Sequence, residues 1–333
     1  MQDFVAEGGL PYRATPFWLS LADEEPEACA RNAHGVPVDP ILAQTLPSPA
    51  EALISPLELR DPLGEAGNTI FGRAVRQYRS RILVRATGQC FLFCRHCYRR
   101  ALLPSELHFL DEAAIAALSE YLAIHPEVRE VLVSGGDPLT ASDAQLAGLF
   151  EAIRSAPQPV LIRICTRAPI VLPARVTPEL VDLLARARPL TMVLHINHPK
   201  ELSTPFLDRA EALMKAGIPL HSQTVLLRGI NDAPDILIEL FSALSLRGIR
   251  PYYLFQGDLA AGTAHFRVPL SRGLAIYETL RKELSGLELP RYAVDAPGGG
   301  GKIYLPEGIV ERKAKSWVLR ASDGSLHEYP EEE

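Results

Sequence analysis

The sequence lacks any stretch that resembles a membrane span or an export signal. No run of about 18 apolar residues occurs in it, and its N-terminus has no basic segment followed by an apolar core. The net charge of −6 argues against a general nucleic-acid binder. Cysteine is also scarce, since only Cys29 and Cys165 lie outside one short cluster, too few for a disulfide framework. We therefore expect a cytoplasmic protein with no membrane and no nucleic acid among its partners.

The other three cysteines, Cys90, Cys94 and Cys97, lie within eight residues at C-x3-C-x2-C spacing. A structural zinc site usually takes four ligands from two separated pairs, and no second pair follows downstream. Three thiolates instead suit a 4Fe-4S cluster whose fourth iron is open to a non-protein ligand, whereas ferredoxin clusters use four cysteines. The spacing therefore favours an iron-sulfur cluster. A zinc-binding interaction module is the alternative from a different functional class.

Arginine is concentrated around this cluster. Residues 73–100 contain eight arginines and no acidic residue. Such a concentration is typical of sites for phosphates and carboxylates, to which a guanidinium donates in a bidentate manner. A solvated basic face would account for part of the same pattern.

Apolar runs of strand length recur at intervals of about 30 residues, with helical patterns between them. Asp111 is placed to cap one of these helices, and Ser142 with Gln145 forms a capping box for the next. Six such repeats predict a parallel sheet covered by helices, which is an α/β fold of the partial (β/α)6 TIM-like barrel type. The predicted strands are residues 82–86, 130–134, 161–165, 191–196, 220–226 and 251–255.

The segments before and after this barrel lack its strand-helix repeat. Residues 1–70 are Pro-rich with short apolar-periodic pieces, and they predict a helical N-terminal extension. Residues 71–260 form the predicted barrel. Residues 261–333 form a C-terminal segment with a helix near 274–284, a lysine after four glycines, and a hairpin that turns at Asp323-Gly324.

Two glycine motifs carry possible ligand chemistry. Val133-Ser-Gly-Gly-Asp-Pro138 follows the second predicted strand, where glycines let a ligand approach the backbone. Pro297-Gly-Gly-Gly-Gly-Lys302 is not a phosphate loop, because Ala296 and Ile303 occupy positions that the loop pattern reserves for other residues. An amine beside such a bare backbone can instead reach a carbonyl carbon, as a Schiff-base lysine for pyridoxal phosphate (PLP) must.

Together, C-x3-C-R-H-C-x-R-R and D-A-P-G-G-G-G-K resemble the lysine 2,3-aminomutase family of the radical S-adenosylmethionine (SAM) superfamily, over roughly residues 58–329. The resemblance implies a 4Fe-4S cluster on the three cysteines, SAM at its open iron, and PLP bound covalently to Lys302. It also implies an isomerase that converts L-lysine to β-lysine by moving the 2-amino group to C3. An electron donor such as flavodoxin or ferredoxin is then expected as a partner.

The same resemblance assigns roles to further residues. Each of them, taken alone, also fits a structural role; His195, for example, fits a hydrogen-bonded core histidine equally well. It implies SAM contacts at His96, Ser134, Gly135, Gly136, Asp137, His195 and Gln223. It implies that Arg81 and Tyr78 contact PLP. It also implies that Arg99 binds the substrate carboxylate while Asp258 and Asp295 hold its distal ammonium. Two converging carboxylates select a cation and repel an anionic side chain.

The chain departs from the family pattern in three places. Gln77 stands where a basic residue is expected, so Arg76 or Arg79 is considered for the phosphate. The better-known members are longer and carry a zinc-binding cysteine cluster near the C-terminus, together with a cysteine at the position of Ala233. The zinc site is therefore expected to be absent, which leaves a homo-oligomer as an open question.

The substrate and its destination also have alternatives. Arginine and ornithine carry a distal cation as lysine does, so an arginine or ornithine 2,3-aminomutase fits the acidic pair equally well. Short members of the family make β-lysine for the modification of elongation factor P, and the length of 333 residues favours that role.

Overall fold

The structure is a computed structural model that describes residues 10–23, 30–33, 35–101 and 108–331. Cys29 lies outside the described residues. Within them, no helix is both long enough and apolar enough to cross a membrane.

The barrel region alternates strands and helices as the sequence predicts. The strands are β1 (Thr69–Phe71), β2 (Ala74–Tyr78), β3 (Arg81–Thr87), β4 (Glu130–Gly135), β5 (Leu161–Thr166), β6 (Leu190–His195), β7 (Leu220–Val225), β8 (Arg250–Phe255), β9 (Arg291–Asp295), β10 (Lys302–Tyr304), β11 (Ile309–Arg312), β12 (Ser316–Arg320) and β13 (Leu326–Pro330). The helices are α1 (Pro16–Leu19), α2 (Pro40–Ala43), α3 (Glu112–Ile124), α4 (Asp143–Arg154), α5 (Ala168–Val171), α6 (Pro178–Arg186), α7 (Thr204–Lys215), α8 (Pro234–Leu246) and α9 (Leu270–Glu283).

The first ten strands form one sheet in sequence order, from β1 to β10. Strands β3 to β9 are parallel, with helices in the connections between them, and β1, β2 and β10 add antiparallel strands at the two edges. The six predicted strands correspond to β3 to β8, so the α/β fold with a partial barrel is confirmed. A seventh parallel strand, β9, follows α9; its apolar stretch, Tyr292 to Val294, is too short to have stood out in the sequence.

Two local signals also had the predicted effect. The Asp111 side chain accepts a hydrogen bond from the Ala114 N–H at the start of α3. Ser142 and Gln145 form a complete capping box at the start of α4. Both interactions lie within four residues of sequence, which is why the sequence alone could reveal them.

The two faces of the parallel strands differ in what they contact. On β5, Ile162 and Ile164 are buried in the core shared with the helices, whereas Arg163 and Cys165 face the inside of the sheet and line a cavity. The same core contains Leu118 of α3. The helices thus cover an apolar outer face, and the inner face is left for polar side chains.

The two edges of the sheet approach each other beside the glycine run. The backbone N–H of Lys302 donates to the Tyr78 hydroxyl at 2.8 Å, and the Gln77 amide donates to the Gly299 carbonyl at 2.7 Å. These hydrogen bonds connect β2 to the start of β10 without a strand pairing. The sheet is therefore curved into an incompletely closed barrel.

The flanking segments are less regular than the barrel. Within the described part of residues 1–70, the predicted helices are single turns at α1 and α2, with 3-10 turns at Pro49–Ala52 and Ala66–Asn68. The predicted C-terminal hairpin is β12 and β13, and β11 adds a third strand to it. The predicted boundaries at 70 and 260 stay predictions, and the sheet itself continues beyond 260 into β9 and β10.

Candidate active site

A cavity of about 420 Å³ lies inside the curved sheet and reaches the carboxyl ends of its parallel strands. Its wall includes every residue that the sequence indicated as a ligand or contact, apart from the two alternatives for the phosphate, Arg76 and Arg79. These are Tyr78, Arg81, Cys90, Cys94, His96, Cys97, Arg99, Ser134, Gly135, Gly136, Asp137, His195, Gln223, Asp258, Asp295 and Lys302. The structure brings these residues together, and their individual roles stay predictions.

The cysteine loop follows β3, and the N-terminal section holds it in place. The backbone N–H of Phe93 donates to the Arg13 carbonyl at 3.0 Å, and that of Arg95 donates to the Gln44 carbonyl at 3.0 Å. The Arg95 guanidinium is buried and donates from Nε to Glu51 at 2.8 Å. The irregular N-terminal section thus supports the loop that carries the thiols.

The three thiols are free and line the same cavity. Burial, followed by the charges of Asp137 and the other two thiols, raises the pKa of Cys90 well above its ordinary value. Burial and the Cys94 charge raise the pKa of Cys97 to about 11. Thiolates this close repel one another unless a positive centre lies between them.

In the part of the chain that the structure describes, no three His, Cys, Asp or Glu side chains lie close enough to share one metal ion. An iron-sulfur cluster does not require its cysteines to share one metal ion, because each thiolate binds a different iron atom. Three thiols on one cavity wall, of which Cys90 and Cys97 have raised pKa values, therefore fit a 4Fe-4S cluster.

The glycine turn after β4 packs directly against the start of the cysteine loop. A Cβ atom on Gly135 would lie 2.4 Å from the Thr87 carbonyl oxygen, and one on Gly136 would lie 2.2 Å from that of Gln89. The N–H groups of Gly136 and Asp137 donate to these same two carbonyls. The glycines are therefore required by backbone packing, and these two N–H groups are not free for a ligand, which the sequence did not reveal.

The Asp137 carboxylate is likewise held by the protein. It accepts hydrogen bonds from the Leu139 N–H at 3.0 Å, the Thr166 hydroxyl at 2.7 Å and the Arg167 N–H at 2.8 Å. Burial raises the pKa of Asp137 although these hydrogen bonds oppose the shift. The carboxylate connects the glycine turn to the end of β5.

A buried histidine, His96, and a half-buried one, His195, meet beside the thiols. The Nε2 atoms of His96 and His195 lie 3.3 Å apart, and the Asn197 amide contacts both. Burial, followed by the charges of His195 and Arg167, lowers the pKa of His96 well below its ordinary value. Burial and the Arg167 charge lower the pKa of His195 to about 3. Both rings are therefore neutral near pH 7, and the buried Nδ1 of His96, which has no partner in the described part of the chain, is available to a ligand in the cavity.

Arg99 is buried and already has a carboxylate partner. Its Nε and Nη2 atoms donate to Glu65 at 2.6–3.2 Å, and its Nη1 donates to the Ser134 hydroxyl at 3.0 Å. Burial opposes ionisation of Glu65, but the guanidiniums of Arg99 and Arg85 outweigh it and lower the Glu65 pKa. A substrate carboxylate can therefore reach Arg99 only at the N–H groups that Glu65 does not hold.

Lys302 points into the cavity beside two carboxylates. Its Nζ lies 3.0 Å from Asp295 Oδ1 and 5.1 Å from the centre of the Phe255 ring. Burial lowers the pKa of Lys302, but the charges of Asp295 and Tyr78 more than offset this, so the net shift is upward. Burial, followed by the charge of Asp295, raises the pKa of Asp258 to about 8. The two carboxylates are thus close enough to repel each other, and Lys302 is a paired ammonium.

Of the cations considered for a phosphate, only Arg81 lines the cavity. Its guanidinium lies over the Tyr78 ring, with Cζ 3.7 Å from the ring centre. Arg76 instead pairs with Glu127 at 2.7 Å. Neither Arg76 nor Arg79 is part of the cavity wall, which favours Arg81 over both of them as the phosphate contact.

Four arginines that the sequence did not single out line the same cavity, namely Arg163, Arg167, Arg267 and Arg291. Arg163 is neutralised by Glu130 at 2.5 Å. Arg291, the first residue of β9, lies over the Tyr304 ring with Cζ 3.8 Å from its centre. Among the described residues, no carboxylate pairs with Arg291 or Arg81.

Comparison with known proteins gives two family matches. Sequence models match for the Radical SAM superfamily over residues 84–241 and for Lysine-2,3-aminomutase over residues 277–333. A solved structure described as native anSMEcpe with bound AdoMet superposes with a TM-score of 0.50 and 12% identity, over 61% of this chain and 59% of that chain. At this identity the superposition shows the fold alone.

Three curated relatives align over nearly the whole chain. A putative L-lysine 2,3-aminomutase from Treponema pallidum is 40% identical, over 96% of this chain and 95% of the relative. An L-lysine 2,3-aminomutase from Fusobacterium nucleatum is 39% identical, over 96% of this chain and 73% of the relative. A glutamate 2,3-aminomutase from Clostridioides difficile is 34% identical, over 98% of this chain and 75% of the relative.

Proposed function

The chain belongs to the lysine 2,3-aminomutase family of the radical SAM superfamily, and we propose that it converts L-lysine to β-lysine by moving the 2-amino group to C3. The family assignment makes it an isomerase with a 4Fe-4S cluster and SAM. Lysine as the substrate rests on one observation, which is the half-buried pair of carboxylates, Asp258 and Asp295, beside the Lys302 amine.

The acidic pair favours a substrate with a distal cation. The repulsion that raises the pKa of Asp258 is relieved when a cation is placed near both carboxylates. The two ionised carboxylates carry two negative charges, and the Lys302 ammonium balances one of them. The other negative charge is left for the ammonium of a substrate. A glutamate side chain would instead add a third negative charge in a buried site, which is costly. The pair therefore selects for lysine and against glutamate.

We propose that Arg99 binds the α-carboxylate of the substrate. Glu65 fixes the guanidinium from one side and Ser134 from another, so the group is oriented before the substrate binds. A preorganised guanidinium loses little entropy when a carboxylate binds to it. Arg99 and the acidic pair then hold the two ends of an amino acid.

Lys302, Tyr78 and Arg81 fit PLP. PLP, when bound, supplies a carbonyl carbon that bonds to amines and a conjugated ring that takes up an unpaired electron. Tyr78 accepts the Lys302 backbone N–H and lies under the Arg81 guanidinium, so it positions both the amine and the cation. A phosphate carries about −1.5 to −2 charges, so we propose that Arg291 supplies the second cation.

The cysteine loop and the two neutral histidines fit the cluster and SAM. The reduced cluster and SAM, when bound, supply a radical that removes hydrogen from a substrate carbon. Cys90, Cys94 and Cys97 would hold the cluster, and the buried Nδ1 of His96 would accept or donate a hydrogen bond to SAM. We propose a low-potential donor protein, such as flavodoxin or ferredoxin, as the electron source.

Replacement of Arg291 tests the phosphate site. Arg291→Gln is expected to weaken PLP binding about 10- to 100-fold, because it removes a charge-assisted hydrogen-bond donor worth about 1.5–3 kcal/mol. Titration of the apoprotein with PLP, followed by absorbance, measures this effect, and pyridoxal, which lacks the phosphate, should bind with unchanged affinity. Arg250→Gln is the matched control, since Arg250 begins the neighbouring strand β8 but lies outside the cavity wall. Equal PLP affinity in both variants would contradict the assignment.

The proposed reaction is tested with a panel of amino acids. Anaerobic protein with a reconstituted cluster, PLP, SAM and dithionite is supplied with lysine, ornithine, arginine or glutamate, and the products are identified by mass spectrometry and NMR. We expect β-lysine as the main product and no β-glutamate. Faster turnover of arginine or ornithine would keep the reaction type and change the substrate, whereas turnover of glutamate would refute the role given to the acidic pair.

A further inference from the structure

Arg167 is the first residue after β5 and lies beside the cysteine loop. Its side chain is buried, and its backbone N–H donates to the Asp137 carboxylate at 2.8 Å. Its guanidinium lies over the Trp18 ring of the N-terminal section, with Cζ 4.6 Å from the ring centre. The turn that carries Asp137 and the N-terminal section therefore both hold it in position.

The guanidinium joins a cysteine thiol to a buried carboxylate. Nη1 donates to Cys94 Sγ at 2.9 Å. Nη2 donates to Glu201 Oε2 at 3.0 Å and to the Gln44 amide oxygen at 2.6 Å. Glu201 is fully buried and also accepts hydrogen bonds from the Gln44 amide and the Asn197 N–H. This chain of contacts couples one candidate cluster ligand to one positive and one negative charge.

A cation that donates a hydrogen bond to a ligating sulfur withdraws electron density from it. Reduction adds one electron to an iron-sulfur cluster, so a nearby positive charge stabilises the reduced state and raises the reduction potential. A carboxylate on the far side of the same guanidinium opposes this effect. In a buried site with little water to screen them, both charges act strongly.

We propose that Arg167 and Glu201 set the reduction potential of the cluster, with Arg167 acting through Cys94 to raise it and Glu201 to lower it. One electron from a low-potential donor enters the cluster, and no bond is formed or broken in this step. The proposal requires the cluster but neither PLP nor a particular amino-acid substrate. It can therefore be tested independently of the proposed reaction.

The test is a redox titration of the reconstituted cluster with dithionite, followed by electron paramagnetic resonance, without PLP or substrate. Arg167→Gln is expected to lower the equilibrium constant for reduction about tenfold, which is a potential about 59 mV more negative for one electron. Arg167→Lys should recover part of this loss because it keeps the charge. Glu201→Gln should shift the constant about tenfold in the opposite direction.

Lys200→Gln is the matched control. It removes the same charge next to Glu201 in the sequence, but Lys200 pairs with Asp23 and Asp39 and contacts none of the cysteines that the structure describes. Its potential is expected to stay close to that of the unchanged protein. Opposite shifts for Arg167→Gln and Glu201→Gln support the proposal, because a merely structural role would not produce opposite signs.

Two outcomes would overturn the proposal. The reduction potentials of Arg167→Gln and Glu201→Gln could shift in the same direction, or both could equal that of the unchanged protein at equal iron content. If Arg167→Gln fails to retain the cluster, Glu201→Gln decides alone. A raised potential in that variant then supports the proposal, and an unchanged or lowered potential overturns it.

Discussion

Replacement of Lys302 by alanine is expected to abolish covalent attachment of PLP and to lower lysine turnover by roughly 10³-fold or more, as loss of a covalent catalytic group does in other enzymes. Lys302 is the lysine of the cavity wall, and its amine is held 3.0 Å from Asp295. Its backbone is fixed by Tyr78, and no other lysine of the described residues lines the cavity. Borohydride treatment of the PLP-loaded protein, followed by peptide mass spectrometry, measures the attachment.

Lys315→Ala provides the comparison for this experiment. Lys315 lies in the same C-terminal segment but outside the cavity, and its backbone pairing with Glu331 does not depend on its side chain. This variant should keep both the adduct and the turnover. An adduct that persists at another lysine in Lys302→Ala, with activity retained, would show that the covalent site is elsewhere.

Asp258→Asn is expected to lower kcat/KM for lysine by roughly 30- to 5000-fold. The change keeps the shape of the side chain but removes one of the two charges that would hold the distal ammonium. Loss of one partner from a buried charged pair typically costs about 2–5 kcal/mol. Initial rates over a range of lysine concentrations measure the effect, and the discrimination against norleucine, which lacks the ammonium, should fall by a similar factor.

Asp182→Asn serves as the control, because Asp182 is an exposed residue of α6 outside the cavity. It should leave kcat/KM and the discrimination unchanged. If Asp258→Asn lowers turnover of lysine and norleucine equally, Asp258 supports the fold or the cofactor and does not bind the distal ammonium.

The same carboxyl group predicts a pH dependence. Because burial and the charge of Asp295 raise the pKa of Asp258 to about 8, this group is mostly protonated at pH 7 in the absence of substrate. Binding of an ammonium favours the ionised form, so lysine must displace a proton below pH 8. KM should therefore fall as pH rises from 7 to 9, by up to about tenfold per pH unit below 8. The dependence should be absent in Asp258→Asn.

The features that the sequence revealed are those encoded locally or by a recurring pattern. The apolar runs of β3 to β8, the cap at Asp111 and the capping box at Ser142 each depend on residues close together in the chain. The cysteine and glycine-lysine motifs are also continuous stretches. Their placement on one cavity wall follows once the strands are ordered in sequence.

The sequence did not reveal the ion pairs between side chains that only the fold brings together. Glu65 sits in a turn with no pattern that points to Arg99, 34 residues later. Glu201 and Arg167 are also 34 residues apart, and each looks like an ordinary charged residue in the sequence. The one available hint is position, because Arg167 and Asn197 closely follow the carboxyl ends of β5 and β6, where ligands gather in such sheets.

The buried ion pairs of Glu65 have a consequence for sequence evolution. Glu65 balances Arg99 and lies 3.6 Å from a second guanidinium, that of Arg85. Loss of the carboxylate alone would leave the buried Arg99 guanidinium without its carboxylate partner, at a cost of about 3–5 kcal/mol. A lineage can therefore change one of these three positions freely only if another changes with it. Among homologues, residues 65, 85 and 99 are expected to vary as a group, although the sequence suggests only a turn at residue 65.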